Sequence, residues 1–275
     1  VKTLIVNADD FGFTPDVNEG IVHAHRAGIL TATTLMANGD AFAHAVRLAK
    51  DTPTLEVGCH FVLVGDGYSL VAPYRKLPVS VSKLAAAIFL GKINVEAELE
   101  AQLRRIISAG ITPLHIDTHK HTHLLPPVLD AMVRVAGRYG VRFIRRPFDL
   151  PLGASSLRIP WSKRQTAHGM QLLKNRFRRV ISLHHFLATD YFAGFQMTGR
   201  FETQHLAALL AELPDGVTEF MTHPGYCRAE LAAARTRLKH SRERELEALC
   251  APEVRDAIQR HGIRLAGYRD LLEMP

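Results

Sequence analysis

The chain has little cysteine: three residues in 275, Cys59, Cys227 and Cys250, far apart and without a CxxC pair. Three scattered thiols make no disulfide framework and no paired-cysteine zinc site, and they predict a reducing compartment. Long apolar runs are lacking too. None approaches the roughly 20 residues that a membrane-spanning helix needs. The opening Val1-Lys2-Thr3-Leu4-Ile5-Val6 is too short for the apolar part of a secretion signal and runs into acidic residues. These absences predict a cytoplasmic protein. There is also no repeat, no low-complexity tract and no dividing linker, so one domain over residues 1–275 is expected. Zinc-finger, RNP and basic-zipper patterns are missing, which argues against a nucleic-acid partner.

The composition is that of a globular chain: 47% hydrophobic and 22% charged. The net charge is +7, and its densest part is the segment 163–179, with Lys163-Arg164 and Lys174-Asn175-Arg176-Phe177-Arg178-Arg179. That segment reads either as a solvated helix face or as a patch for an anionic surface, a peripheral contact with the inner face of a membrane.

Short β-type runs alternate with helical ones, the α/β signature. Strands are expected at 2–7, 31–36, 55–62, 114–118, 141–146, 217–222 and 263–266. Between them, Thr14-Pro15-Asp16 opens a helix as N-cap, first-turn proline and dipole-facing acid, and Gly28 closes it at the C′ position. Residues 95–109 form an amphipathic helix closed by Gly110. Residues 65–94 are irregular apart from one short helix, and 147–199 are hard to assign, holding the basic helix and the aromatic stretch Tyr191-Phe192-Ala193-Gly194-Phe195. Seven strands mostly separated by helices predict a closed or nearly closed (β/α) barrel, with active residues at the C-terminal strand ends.

Four expected strand ends carry unusual polar residues. The first is Asp9-Asp10, two adjacent carboxylates that repel each other unless a turn or a cation relieves them. One could bind a metal while the other serves as general base. The second is Cys59-His60. A Cys–His nucleophile pair is disfavoured, because neighbours on a strand point to opposite faces. The third runs His115-Ile116-Asp117-Thr118-His119-Lys120-His121-Thr122-His123. Alternation puts His115, Asp117 and His119 on one face and leaves His121 and His123 in the following turn, where they orient ligands or simply pack. The fourth is Thr222-His223, a candidate proton donor to a leaving amine. Arg145-Arg146, at a further strand end, reads equally as a carboxylate binder that orients Asp9 and as a surface pair. One carboxylate and two imidazoles form a three-ligand site with open positions, the layout of a catalytic centre. A dinuclear hydrolase would draw further ligands from Asp117, His121 and His123. A non-catalytic sugar- or lipid-binding protein would not need Asp9.

Five motifs in order resemble the YdjC-like carbohydrate deacetylases, a family that includes chitooligosaccharide and hopanoid-associated deacetylases. They are Leu4-Ile5-Val6-Asn7-Ala8-Asp9-Asp10-Phe11-Gly12, Gly28-Ile29-Leu30-Thr31-Ala32-Thr33-Thr34, Val57-Gly58-Cys59-His60-Phe61-Val62-Leu63, the histidine block from His115 to Pro126, and Thr222-His223-Pro224-Gly225-Tyr226. The resemblance implies a distorted seven-stranded (β/α) barrel that binds one divalent ion, Mg²⁺ or Zn²⁺, through Asp10, His60 and His119. It implies Asp9 as base, His223 as acid, and an acetylated amino sugar as substrate. A homodimer is left open. The chain departs from the family pattern at Cys59, Thr118 and Lys120, none of them an implied ligand. Residues 147–199 match least, which marks them as the variable segment that shapes the substrate pocket.

Overall fold

In the computed structural model, residues 1–65, 67–72, 74–151 and 159–273 are described. Asp66 and Pro73 of the irregular stretch, and 152–158 of the variable segment, lie outside them. Among the described residues there are eight strands: β1 (Lys2–Phe11), β2 (Ala32–Leu35), β3 (Glu56–Phe61), β4 (His115–Thr118), β5 (Phe143–Ile144), β6 (Tyr191–Ala193), β7 (Gly216–Thr222) and β8 (Arg264–Leu265). Seven form one curled parallel sheet in the order β5-β4-β3-β2-β1-β7-β6, and the short β8 pairs with the start of β1. Isolated parallel bridges run from Phe143 of β5 to Leu187, ahead of β6, and from Asp149, past β5, to Phe192 of β6. The result is a distorted, barrel-like α/β fold.

The helices are α1 (Pro15–Ala27), α2 (Phe42–Lys50), α3 (Val81–Phe89), α4 (Val95–Ser108), α5 (Pro126–Arg138), α6 (Trp161–Gln171), α7 (Lys174–Leu183), α8 (Thr203–Glu212), α9 (Ala229–Ala233), α10 (His240–Cys250), α11 (Pro252–Arg260) and α12 (Tyr268–Leu272). The main hydrophobic core takes residues from Leu4 to Ile263, and two small clusters lie beside it, around Ile5 and Tyr268 and around Met36 and Val62.

The strand expected from the aromatic stretch's neighbourhood was none, yet Tyr191–Ala193 is β6, paired through its backbone to β7. The strand expected at 141–146 shrinks to Phe143–Ile144, which frees Arg145 to leave the ladder and turn inward. β1 is longer than expected and continues through both aspartates. It is an interior strand, flanked by β2 and β7, and every residue after Lys2 is buried, as a strand in a covered parallel sheet should be.

The start of α1 is as the residues dictate: Thr14 Oγ1 accepts from the Val17 N–H at 3.3 Å, with Pro15 in the first turn. Its end is not. Gly28 has φ −125°, outside the left-handed region. The glycine is required there by crowding, since a Cβ would stand 2.6 Å from the carbonyl oxygens of Ala24 and Leu249. On α4 the buried stripe holds Leu99, Leu103 and Ile106 but also Glu98 and Gln102. Gln102 bonds both backbone groups of Val62, at 2.9 and 2.8 Å. Glu98 accepts from the Ser69 hydroxyl and the Leu70 N–H. Two buried polar side chains thus hold the loop after β3, which forms one wall of the site.

Candidate active site

Adjacent residues on a regular strand face opposite ways, so Asp9 and Asp10 cannot both enter one site without a break in the ladder. The break is a register shift between Ala8 and Phe11, with Asp10 in the left-handed region at φ 69°. A bulge of this kind re-aims side chains. It is held by Asn18, whose Oδ1 accepts from the Gly12 N–H at 2.6 Å, and by the Phe13 N–H donating to the Asp10 carbonyl at 3.1 Å. Both carboxylates are buried.

Asp10 Oδ1 lies 3.4 Å from His60 Nε2 and 3.2 Å from His119 Nδ1, and the two ring nitrogens are 3.3 Å apart. Ligand atoms about 2.0–2.1 Å from a tetrahedral ion stand ~3.3–3.4 Å from one another. The triangle therefore has the dimensions of three ligands around one small ion. Asp10 Oδ1 is buried without a hydrogen-bond donor, as a ligand oxygen would be. His60 Nδ1 meets Asp117 Oδ1 at 2.6 Å and Thr34 Oγ1 at 3.3 Å, so Nε2 is the nitrogen presented to the triangle, in the carboxylate–histidine arrangement typical of metal sites. Asp9, His60 and Asp117 form a second group close enough to share an ion. Its carboxylates are already engaged by Arg145, so the first triangle is the better seat.

Arg145 is buried and serves three acids. It makes two bonds to Asp9, at 2.8 and 2.7 Å, one to Asp117 at 2.5 Å and one to Glu219 at 2.6 Å. Surface pairing is thereby excluded for Arg145. Arg146 instead donates to the Asp190 carbonyl. Burial opposes the charge on Asp9, yet the Arg145 guanidinium, helped by His60 and His223, holds its carboxyl well below the usual range. Burial likewise opposes a charged His60, but Asp117 and Asp10 lift its imidazole to about 10. Glu219 is the weakest partner, raised by burial to about 7 against the pull of Arg145. Beneath them, Asn7 links Asp9 (3.1 Å) to His115 (3.1 Å), and burial keeps the His115 imidazole down at about 3.

His223 follows β7, and its Nε2 is 4.0 Å from Asp9 Oδ2. Burial pushes the imidazole down to about 4, so it rests neutral at pH 7. Lys120 and His121 are successive left-handed residues, at φ 55° and 51°, that turn the chain sharply after His119. His121 lies against Phe192 and Phe195 and lines the cleft. His123 packs within the turn, bonded to Thr118 Oγ1 at 2.7 Å. Cys59 sits in the hydrophobic core, its thiol raised well above its ordinary value by burial, and takes no part in the site.

The triangle opens on a cleft of about 1610 Å³. Asp9, Asp10, His119, His121 and His223 line it, with Tyr68, Leu70 and Phe195 as apolar walls and Arg47, Arg105, Lys120 and Lys163 as cations. Lys163 belongs here rather than to an outward basic patch: its Nζ donates to the carbonyls of Phe195 and Thr198, both at 3.1 Å. Burial lowers its ammonium to about 8. A smaller cavity of about 530 Å³, lined by Glu56, His115 and Arg269, contains none of the triangle.

Sequence reasoning missed two buried charges on α10. Arg242 donates to Asp10 Oδ2, and Glu245 accepts from the His223 N–H at 2.6 Å. The run Ser241-Arg242-Glu243-Arg244-Glu245 looks like a solvated helix face. The signal that could have found them is spacing: Arg242, Glu245, Leu246 and Leu249 share one stripe, and all four are buried.

The sequence profile of the YdjC-like proteins matches residues 3–260. A carbohydrate deacetylase of Brevibacillus brevis is 33% identical over 278 residues, covering 98% of this chain and 99% of its own length. A chitooligosaccharide deacetylase of Serratia marcescens is 32% identical, covering 98% and 99%. Among solved structures, a protein of Enterococcus faecalis V583, provisionally described as a cellobiose-phosphate cleavage protein, superposes with a TM-score of 0.76 at 25% identity and 98% coverage of both chains.

Proposed function

The chain belongs to the YdjC-like family, and from that premise we propose that it is a metal-dependent hydrolase that removes the N-acetyl group from an acetylated amino sugar. The observation that carries the reading is the triangle of Asp10, His60 and His119 beside an ionised Asp9. Two imidazoles and a carboxylate suit Zn²⁺ better than Mg²⁺. A bound ion would acidify the attacking water and polarise the acyl carbonyl. Asp9, fixed by Arg145 as an ionised acceptor, takes the proton of that water. Water oxygen bonds to the acyl carbon, the carbon–nitrogen bond breaks, and the proton reaches the leaving amine. His223, neutral at rest and 4.0 Å from Asp9 Oδ2, is placed to carry it across. Acetate and a free amino sugar leave. The segment 147–199 supplies one wall of the pocket, through Lys163 and Phe195.

Acetate release from N-acetylglucosamine, chitobiose, longer oligomers and a glucosaminyl lipid tests this reading. Activity is expected to vanish with EDTA and to return at lower Zn²⁺ than Mg²⁺. Because His60 is protonated up to about 10 in the metal-free site, the ion must displace that proton. Below that value its apparent Kd should rise about tenfold for each unit that the pH falls. Release that survives full removal of metal would sink the proposal.

A peripheral contact with an anionic membrane belongs to the same reading. Among the described residues no helix is long and apolar enough to cross a membrane. On α6, Trp161, Arg164, His168 and Leu172 share one face, with Trp161 76% and Leu172 82% exposed. The neighbouring α7 exposes Arg178 and Arg179 while it buries Phe177 and Ile181. Apolar anchors beside cations suit an anionic lipid surface. Sedimentation with phosphatidylglycerol vesicles, but not phosphatidylcholine, is expected, and Arg178→Glu with Arg179→Glu should abolish it. Equal recovery with both lipids, or with neither, would remove the contact.

A further inference from the structure

Arg242 is among the largest fully buried side chains of the molecule, and helix α10 carries it to the back of Asp10. Its Nη2 donates to Asp10 Oδ2, its Nε donates to the Leu238 carbonyl at 3.3 Å, and its Nη1 has no partner. The two oxygens of Asp10 are thereby made unequal. Oδ2 is held by the guanidinium, and Oδ1 alone faces His60 and His119. One turn on, Glu245 accepts from the backbone N–H groups of His223 at 2.6 Å and Gly199 at 2.8 Å. Each carboxylate of the Asp9–Asp10 pair has its own buried arginine, Arg145 for Asp9 and Arg242 for Asp10.

We propose that Arg242 is a positioning residue for Asp10: its guanidinium fixes the rotation of the carboxylate, so that a single oxygen is presented to the ion, and in doing so it sets the metal affinity of the site. This rests on the reading of Asp10, His60 and His119 as the ligand set. Carboxylate torsions are intrinsically broad, and the bulge leaves Asp10 no ladder neighbour to limit them. Without the guanidinium, a buried Oδ2 lacks a donor and can turn toward the imidazoles in place of Oδ1. A guanidinium near a ligand has two opposed effects on a cation. Its charge repels the ion, and its hydrogen bond orients the ligand. Its own charge is largely offset by the carboxylate it holds, so orientation is the larger effect.

The test is the metal Kd from competition with a chromophoric chelator, on protein whose circular dichroism is that of the parent. Outer partners of ligand groups are commonly worth about 10- to 100-fold in affinity. Arg242→Met should bind about 10- to 100-fold more weakly. Arg242→Lys keeps the charge but not the planar fork, and should recover only part of this, staying about three- to tenfold weaker than the parent. An Arg242→Met protein that binds as tightly as the parent, or more tightly, would show that the guanidinium does not orient the ligand oxygen and would overturn the proposal. Should Arg242→Met not fold, parent-like affinity in Arg242→Lys overturns it equally. His119→Ala keeps the two readings apart. Parent binding that His119→Ala abolishes and Arg242→Met leaves unchanged defeats the positioning role alone. A parent that binds no ion defeats the ligand set and the positioning role together.

Discussion

Asp9→Asn is expected to lower kcat for acetate release by about 10²- to 10⁴-fold, the range a positioned general base contributes, while the protein still binds one ion. Asparagine keeps the shape of the side chain and one acceptor for Arg145, but it cannot take a proton. The proposed ligand triangle does not include Asp9, so metal content measured on the purified variant should match the parent. The pH dependence adds a second check. Asp9 stands well below the ordinary carboxylate range because Arg145 faces it with two hydrogen bonds, so it is ionised at every pH where the fold is intact. The fold-loss should therefore be nearly constant from acid to alkaline pH. A variant as active as the parent would sink the base assignment, and loss of the ion would move Asp9 into the ligand set.

The parts of the site that could be read from the chain are those whose chemistry is local. Asp9-Asp10 after an apolar strand, His60 at the end of another and the histidine block all announce themselves by residue type, and the barrel rule places them at one end of the sheet. The structure brings these residues together. What could not be read depends on backbone departures or on partners distant in sequence. The bulge that turns both aspartates inward needs Asp10 at φ 69°, a break that an apolar strand pattern does not announce. Arg145 was legible as a strand-end arginine, but its bonds reach Asp9, 136 positions away, and Glu219, 74 away. Arg242 reaches Asp10 across 232 positions. β6 was missed because three residues inside an irregular segment carry no period, and only the edge of β7 makes them a strand. Gly28 was rightly singled out for the wrong cause: crowding against Leu249, on a helix far along the chain, rather than a left-handed cap.

Arg145→Met is expected to cost about 3–5 kcal/mol of stability at neutral pH, the range for breaking a buried ion pair by removing one partner. For a chain of this size that is on the order of 10 °C in Tm. The cost arises because methionine fills the space of the stem but leaves Asp9, Asp117 and Glu219 buried without their common donor. The sign of the pH effect separates charge from packing. In the parent, Asp9 is depressed, so its contribution is present above the unfolded carboxylate value of about 4 and is lost only as pH falls through its low folded value. In the variant, Asp9 becomes a buried carboxylate without a counterion, and burial then lifts it above the unfolded value. Stability is then lost as pH rises through the carboxylate range. The gap between parent and variant should be widest near pH 7 and should narrow as pH falls toward about 4. Glu219, already raised to about 7, softens the loss because it can take a proton near neutrality. Urea denaturation followed by circular dichroism at pH 7 and pH 5 measures both values. A gap of the same size at the two pH values would mean that Arg145 matters for packing alone. Arg145→Lys should fall between parent and methionine variant, since one ammonium supplies the charge but cannot reach three carboxylates with a planar fork.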